Sequence, residues 1–176
     1  MDRRTHWERV YAEKRPEQVS WFQAEAVLSL DLITRHAALE AAQVRLGPSA
    51  ARVGWVVDDV LTHEFVPASL DVLHDRAVFH FLTDPADRAR YVEQVRRAVR
   101  AGGLVLVATF AEDGPSKCSG LEVARYSPEA LHRAFGDDFR VLESHREEHH
   151  TPSDAVQRFT YCLCRHEPLA AGVRAA

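Results

Sequence analysis

The sequence lacks a cysteine framework, a long apolar run and an excess of basic charge. Its three cysteines, Cys118, Cys162 and Cys164, are an odd, low count. That argues against a disulfide scaffold and fits a reducing, cytoplasmic setting. No stretch approaches the roughly 18 apolar residues of a membrane span. The opening "MDRRTHWERVYAEKR" is charged and has no apolar core, so a secretory signal is not expected. Twenty-two Lys and Arg against 26 Asp and Glu give a net charge of −4, with no basic stripe for nucleic acid. Glycine is also sparse. The eight glycines, at 47, 54, 102, 103, 114, 120, 136 and 172, include no G-x-G pair. A dinucleotide-type glycine turn after a strand is therefore absent from the chain.

What is present reads as one domain over residues 1–168, with a small-residue tail at 169–176. Trp7, Val10 and Tyr11 share one helical face. Leu30, Ile33, Ala37, Ala41 and Val44 recur at spacings of 3 and 4, which predicts one helix from about 24 to 46, ended by Gly47-Pro48. "RVGWVVDDV" (52–60) has the β-branched content of a strand. "LDVLHDRAVFHFL" (70–82) begins as a strand and is interrupted by the polar His74-Asp75-Arg76. Residues 84–103 read as a helix between Asp84-Pro85 and Gly102-Gly103. "LVLVATF" (104–110) is a strand buried on both faces. "EDGPSKCSG" (112–120) reads as a loop. Residues 127–136 form a helix between a serine cap and a glycine stop. Residues 139–150 and 156–166 form an antiparallel hairpin. Strand–helix alternation ending in a hairpin gives an α/β fold with a mostly parallel sheet.

Four segments, "HWERVYAEKRPEQVSWFQ", "DVLHDRAVFHFLT", "RAGGLVLVATF" and "GPSKCSGLEVARYS", resemble a family of small class I methyltransferases that use S-adenosylmethionine. The resemblance spans about residues 6–165. It implies a Rossmann-like fold that here misses the first two strands, because the family places a β-α-β unit with the glycine turn between "SLDLI" and "ALEAAQVRLG". Losing that unit leaves the "DVLHD" strand with an open edge. Either "RVGWVVDDV" moves beside it or another chain covers it. The linker "LTHEFVPAS" is short for a parallel crossover, which leans the expectation towards a homo-oligomer.

The resemblance also implies site residues. Asp59, with Val60 beside it, stands where the family contacts the adenine amino group. Asp58 stands where the family more often has a small residue. Trp7, Tyr11, Trp21 and Phe22 match an aromatic segment that folds over the cofactor, although Trp7 and Tyr11 equally suit the buried face of a helix. His74, Asp75 and Arg76 lie at the carboxyl end of a strand, where α/β folds bind ligands. A His74–Asp75 pair could do acid–base work, and Arg76 could pair with Asp75 or anchor an anionic substrate. His74 also borders the expected cofactor position. A salt bridge that merely holds the loop explains the same residues. Lys117, Cys118, Ser119, Arg125 and Tyr126 resemble a substrate-side loop, with Cys118 not needed as a nucleophile. His145, His149 and His150 with Cys162 and Cys164 do not match a zinc spacing, so no metal is assigned.

The expected function is transfer of a methyl group from S-adenosylmethionine to an acceptor, a small molecule or a protein. The missing glycine turn opposes activity. The alternatives are a non-catalytic binding or oligomerisation module, or a deletion product without a function of its own.

Overall fold

The computed structural model describes Arg9, Glu13, residues 36–56 and residues 58–169, with side chains described from residue 41 within the first helix. Trp7, Tyr11, Trp21 and Phe22, and the first half of the expected 24–46 helix, lie outside the described residues. Helix α1 is His36–Leu46. A 3-10 turn, Gly47–Arg52, follows it and begins on Gly47 at φ +53° and Pro48.

Among the described residues of the expected strand at 52–60, none is in a strand. Described residues between 53 and 59 take no regular structure. Strand propensity is a fit to neighbouring strands, and no described strand lies alongside this segment. Trp55 instead donates its indole N–H back to the Ala50 carbonyl at 3.2 Å. Rescue of the open edge by this segment is thereby ruled out among the described residues.

Six strands are described: β1 Leu70–Arg76, β2 Val99–Phe110, β3 Lys117–Cys118, β4 Leu121–Glu122, β5 Phe139–His150 and β6 Val156–His166. Four of them form one sheet in the order β1-β2-β6-β5. β1 and β2 run parallel, while β6 is antiparallel to both β2 and β5. The parallel pair is joined by α2, Pro85–Ala98, the crossover that parallel strands require. Asp84 caps α2 by accepting from the Ala86 N–H at 2.7 Å, with Pro85 at its first position.

The helix ends at Ala98 and not at the glycine pair, because Val99 is already extended and paired with Leu70. Gly102 (φ +78°) and Gly103 instead carry a register shift inside β2. The expected loop at 112–120 similarly contains the first strand and the turn of a hairpin, β3–β4. Ser119 and Gly120, both at positive φ, form its turn. Helix α3, Pro128–Phe135, runs from a Ser127 cap to Gly136 at φ +82°.

One face of the sheet packs on α2 and α3. Tyr91, Val92 and Val95 meet Val105, Val107, Leu131, Phe135 and Phe139 there, with Phe79 at the centre. Each such side chain contributes roughly 1.5–3 kcal/mol by leaving water. The other face carries a smaller cluster of Ala77, Ala108, Phe110, Cys118 and Phe159. Among the described residues β1 has strand β2 on one side and no strand on the other.

Candidate functional site

The carboxyl ends of β1 and β2 point the same way, and the polar residues of β1 gather there. Ala77, next along the chain, has φ +67° and donates its N–H to the Ala108 carbonyl at 2.9 Å. This left-handed residue costs a side chain of the order of 1 kcal/mol. It turns the chain so that Val78 and Phe79 aim their N–H groups back at Asp75. The Asp75 carboxylate accepts from Val78 at 3.0 Å, from Phe79 at 3.1 Å and from the Tyr91 hydroxyl at 2.6 Å. It is 5% exposed, and burial pushes its carboxyl above the ordinary value.

Successive strand residues face opposite sides. Asp75 therefore sits in the row Asp75–Val107–Cys162, on the α2 face. His74 and Arg76 share the other face. The sequence offered a His74–Asp75 acid–base pair; as strand neighbours, the two side chains leave β1 on opposite faces. His74 shares its face with Arg76.

Arg76 lies in the row Arg76–Ala108–Tyr161. Ala108 has only a methyl group, so Arg76 reaches across it. Its Nε donates to the Tyr161 hydroxyl at 2.9 Å, and its guanidinium lies 4.2 Å from the centre of the Phe159 ring. Tyr161 in turn donates to Glu147 Oε2 at 2.6 Å. The Arg76 Nη2 to Glu147 Oε2 separation is 3.6 Å, an ion pair but too long for a hydrogen bond. His80 packs beside them, its ring 4.7 Å from Phe110. Its Nδ1 accepts the Phe110 N–H at 3.3 Å, and burial and the Arg76 charge push its pKa down to about 3. His80 is therefore neutral, with its proton on Nε2. Tyr161, Glu147 and His80 were not singled out by the sequence, because their role rests on pairing between distant strands. Only the exposed-face alternation of β5 hinted at Glu147.

Asp59 and Val60 belong to a tight turn rather than a strand end. The Asp59 carbonyl accepts from Thr62 at 2.9 Å and His63 at 2.8 Å, and its Oδ1 accepts from Leu61 at 2.9 Å. Asp59 Oδ2 takes no hydrogen bond from a described residue. Asp58 does have a role: its Oδ2 meets His63 Nδ1 at 2.7 Å, which holds the carboxyl below its ordinary value. The five-residue spacing of that pair is its only mark in the sequence.

The 117–126 loop is occupied by structural contacts. Lys117 pairs with Glu122 at 2.9 Å, Cys118 is 3% exposed, and Arg125 donates to the Gly114 carbonyl at 3.1 Å. Tyr126 is buried beside Phe79. Cys162 and Cys164 face α2, their sulfurs 3.4 Å apart. His145 is paired with Tyr161 and His149 with Gln157, on the opposite face, so histidines and thiols do not converge. The described residues contain no cluster of metal-ligating groups. No described helix is long and apolar enough to cross a membrane.

Comparison with curated proteins finds no match. Among solved structures, a 1,6-didemethyltoxoflavin-N1-methyltransferase from Burkholderia thailandensis, with bound 1,6-didemethyltoxoflavin and S-adenosylhomocysteine, has a TM-score of 0.62 at 17% identity, covering 94% of this chain and 87% of its own. A SAM-dependent methyltransferase from Methanosarcina mazei has a TM-score of 0.59 at 13% identity, covering 76% of this chain and 79% of its own. The N-methyltransferase NodS from Bradyrhizobium japonicum, in complex with S-adenosylhomocysteine, has a TM-score of 0.57 at 13% identity, covering 77% of this chain and 65% of its own. These likenesses establish the Rossmann-like α/β fold. Residues 17–107, more than half of the chain, match the family described as methyltransferase domain. The chain belongs to the methyltransferase-domain family.

Proposed function

We propose that the chain binds S-adenosylmethionine and transfers its methyl group to an acceptor, a small molecule or a protein. The observation that carries this reading is the family match through β1, combined with His74 and Arg76 on one face at the carboxyl end of that strand. The cofactor supplies an electrophilic methyl group when bound. Fit to that group is uneven. Asp59 keeps one carboxylate oxygen without a described donor, which suits the adenine amino group, and Val60 stands beside it. No G-x-G turn exists to let the backbone approach the rest of the molecule.

The chain's own residues divide the work in this reading. Asp59 and Val60 hold the adenine end. Trp7, Tyr11, Trp21 and Phe22 cover the site and exclude water. His74 takes the acceptor's proton on an imidazole nitrogen, and Arg76 anchors the acceptor. Asp75 positions the turn that presents them and moves no proton. Residues 1–168 act as one methyltransferase-like domain in the cytoplasm, with 169–176 as a tail.

The test is isothermal titration of the folded protein with S-adenosylhomocysteine, with folding checked by circular dichroism. Micromolar binding, weakened at least tenfold in Asp59→Ala, supports the reading. A second reading, a non-catalytic binding or oligomerisation module, is favoured by the missing glycine turn and by the free side of β1 among the described strands. A folded protein that shows no binding up to millimolar ligand decides for it.

A further inference from the structure

Two hydrogen-bond donors on the Arg76 face are buried without an acceptor. Among the described residues Arg76 Nη2 has none, and neither does His80 Nε2. The Arg76 side chain is 5% exposed and His80 is fully buried. Native interiors seldom leave such groups unmet, since a buried donor without an acceptor has lost its water and gained nothing in return. Both orphans are donors, so what the cluster lacks is an acceptor. A group that only accepts, and carries negative charge, fits the deficit best.

The acceptor that comes nearest belongs to the chain. Glu147 Oε2 takes the Tyr161 hydroxyl at 2.6 Å but stops 3.6 Å from Arg76 Nη2. Its side chain is 36% exposed, so it stands between the buried guanidinium and solvent. Phe159 forms the floor, with the guanidinium stacked on it at 4.2 Å. A planar guanidinium held this way keeps its fork fixed, the arrangement that suits a carboxylate or phosphate.

We propose that Arg76 and Tyr161 form an oxyanion-binding site at the carboxyl end of β1, and that Glu147 is an internal placeholder which an incoming carboxylate or phosphate group displaces. It rests on the reading above in one respect: if the site serves methyl transfer, the acceptor carries that anionic group. His80 adds a neutral donor close by and leaves the charge of the site to Arg76. Tyr161 can serve either occupant, because its hydroxyl donates to whichever oxyanion is present.

The test uses the full chain and two probes, benzoate and inorganic phosphate, titrated calorimetrically without cofactor. Glu147→Gln removes the competing charge and keeps an oxygen for Tyr161. With the competing carboxylate gone, the variant should bind the better probe about fivefold more tightly than the wild type. Arg76→Lys keeps the charge but loses the fork, and should weaken both probes. Tyr161→Phe keeps the packing and should weaken them too. Tighter benzoate than phosphate identifies a carboxylate ligand, and the reverse a phosphoryl one. Equal binding by wild type, Glu147→Gln and Arg76→Lys overturns the proposal, as does weaker binding by Glu147→Gln. S-adenosylhomocysteine is titrated separately into the same proteins. A chain that binds anions but not this ligand retains the oxyanion site and loses the methyltransferase reading.

Discussion

Asp75 and Tyr91 are joined by a 2.6 Å hydrogen bond between β1 and α2, the shortest of those by which three donors converge on a buried carboxyl group. Burial raises the Asp75 carboxyl above its ordinary value of 3.8 despite these donors. A raised value in the fold means that the folded state favours the protonated form. The stabilisation is complete below the ordinary carboxylate value and is lost as pH rises through the raised one. When protonated, Asp75 donates, and the Tyr91 hydroxyl turns to accept.

Urea unfolding followed from acid to neutral pH should therefore show this decline in the wild type and lack it in Asp75→Asn. Tyr91→Phe removes one donor to the charged form and should move the decline to higher pH. It should also cost about 1–3 kcal/mol. Identical pH profiles for all three proteins would contradict the assignment.

The thiols should be silent in the native protein. A hydrogen bond from Cys164 pulls Cys162 down to about 7, while the same contact pushes Cys164 up. An exposed thiol with that value would react quickly near neutral pH. Yet Cys118, Cys162 and Cys164 are all buried, and none is in a disulfide. Ellman's reagent should release no rapid equivalent from the folded chain and three after denaturation. One fast equivalent without urea would show that burial does not control reactivity here.

Gly103 should not accept a side chain. A Cβ there would lie 2.7 Å from Val99 Cγ1, 2.9 Å from the Arg100 carbonyl oxygen and 3.0 Å from that of Asp71. Two of these are backbone atoms in the paired region of β1 and β2, so relaxation is restricted. Gly103→Ala should lose about 1–3 kcal/mol in denaturant titration. Gly54→Ala, which meets nothing within 4 Å, is the matched control and should stay within about 0.5 kcal/mol.

The caps of the two crossover helices offer a smaller, additive test. Asp84 accepts from Ala86 at 2.7 Å, and Ser127 accepts from Ala130 at 3.2 Å. Asp84→Ala and Ser127→Ala should each cost about 1 kcal/mol. The sites share no partner, so the double variant should lose the sum.

The parts of the fold that depend on local chemistry were legible. Asp84-Pro85 and Ser127-Pro128 announced helix starts, the run from Leu104 to Phe110 announced a strand buried on both faces, and the alternation after Phe139 announced the hairpin. The parts that depend on a neighbour were not. Residues 52–60 have strand composition, but composition does not supply a strand to pair with. Gly102-Gly103 read as a helix stop, yet those residues absorb the register shift between β1 and β2. Ser119-Gly120 carried a turn signal inside what was read as a loop. At the site, the His74-Asp75-Arg76 triplet was found as a triplet, and only the alternation of strand faces divides it into a packing residue and two residues of one surface. His80 escaped notice because a buried neutral histidine has no sequence mark.

The two halves of the sheet also differ in how far the chain must travel to close them. β5 and β6 are joined through Thr151–Ala155, a loop that closes fast because its ends are near in sequence. β1 and β2 meet only after the whole of α2 has been laid between them. Closure of distant contacts is the slow part of folding. The Arg76–Tyr161 bond, which links residues 85 apart, closes a far longer span than the hairpin does. Pulsed hydrogen exchange should find the β5–β6 amides protected before those of β1. The residues at the carboxyl edge would thus report completed folding, whatever ligand they meet.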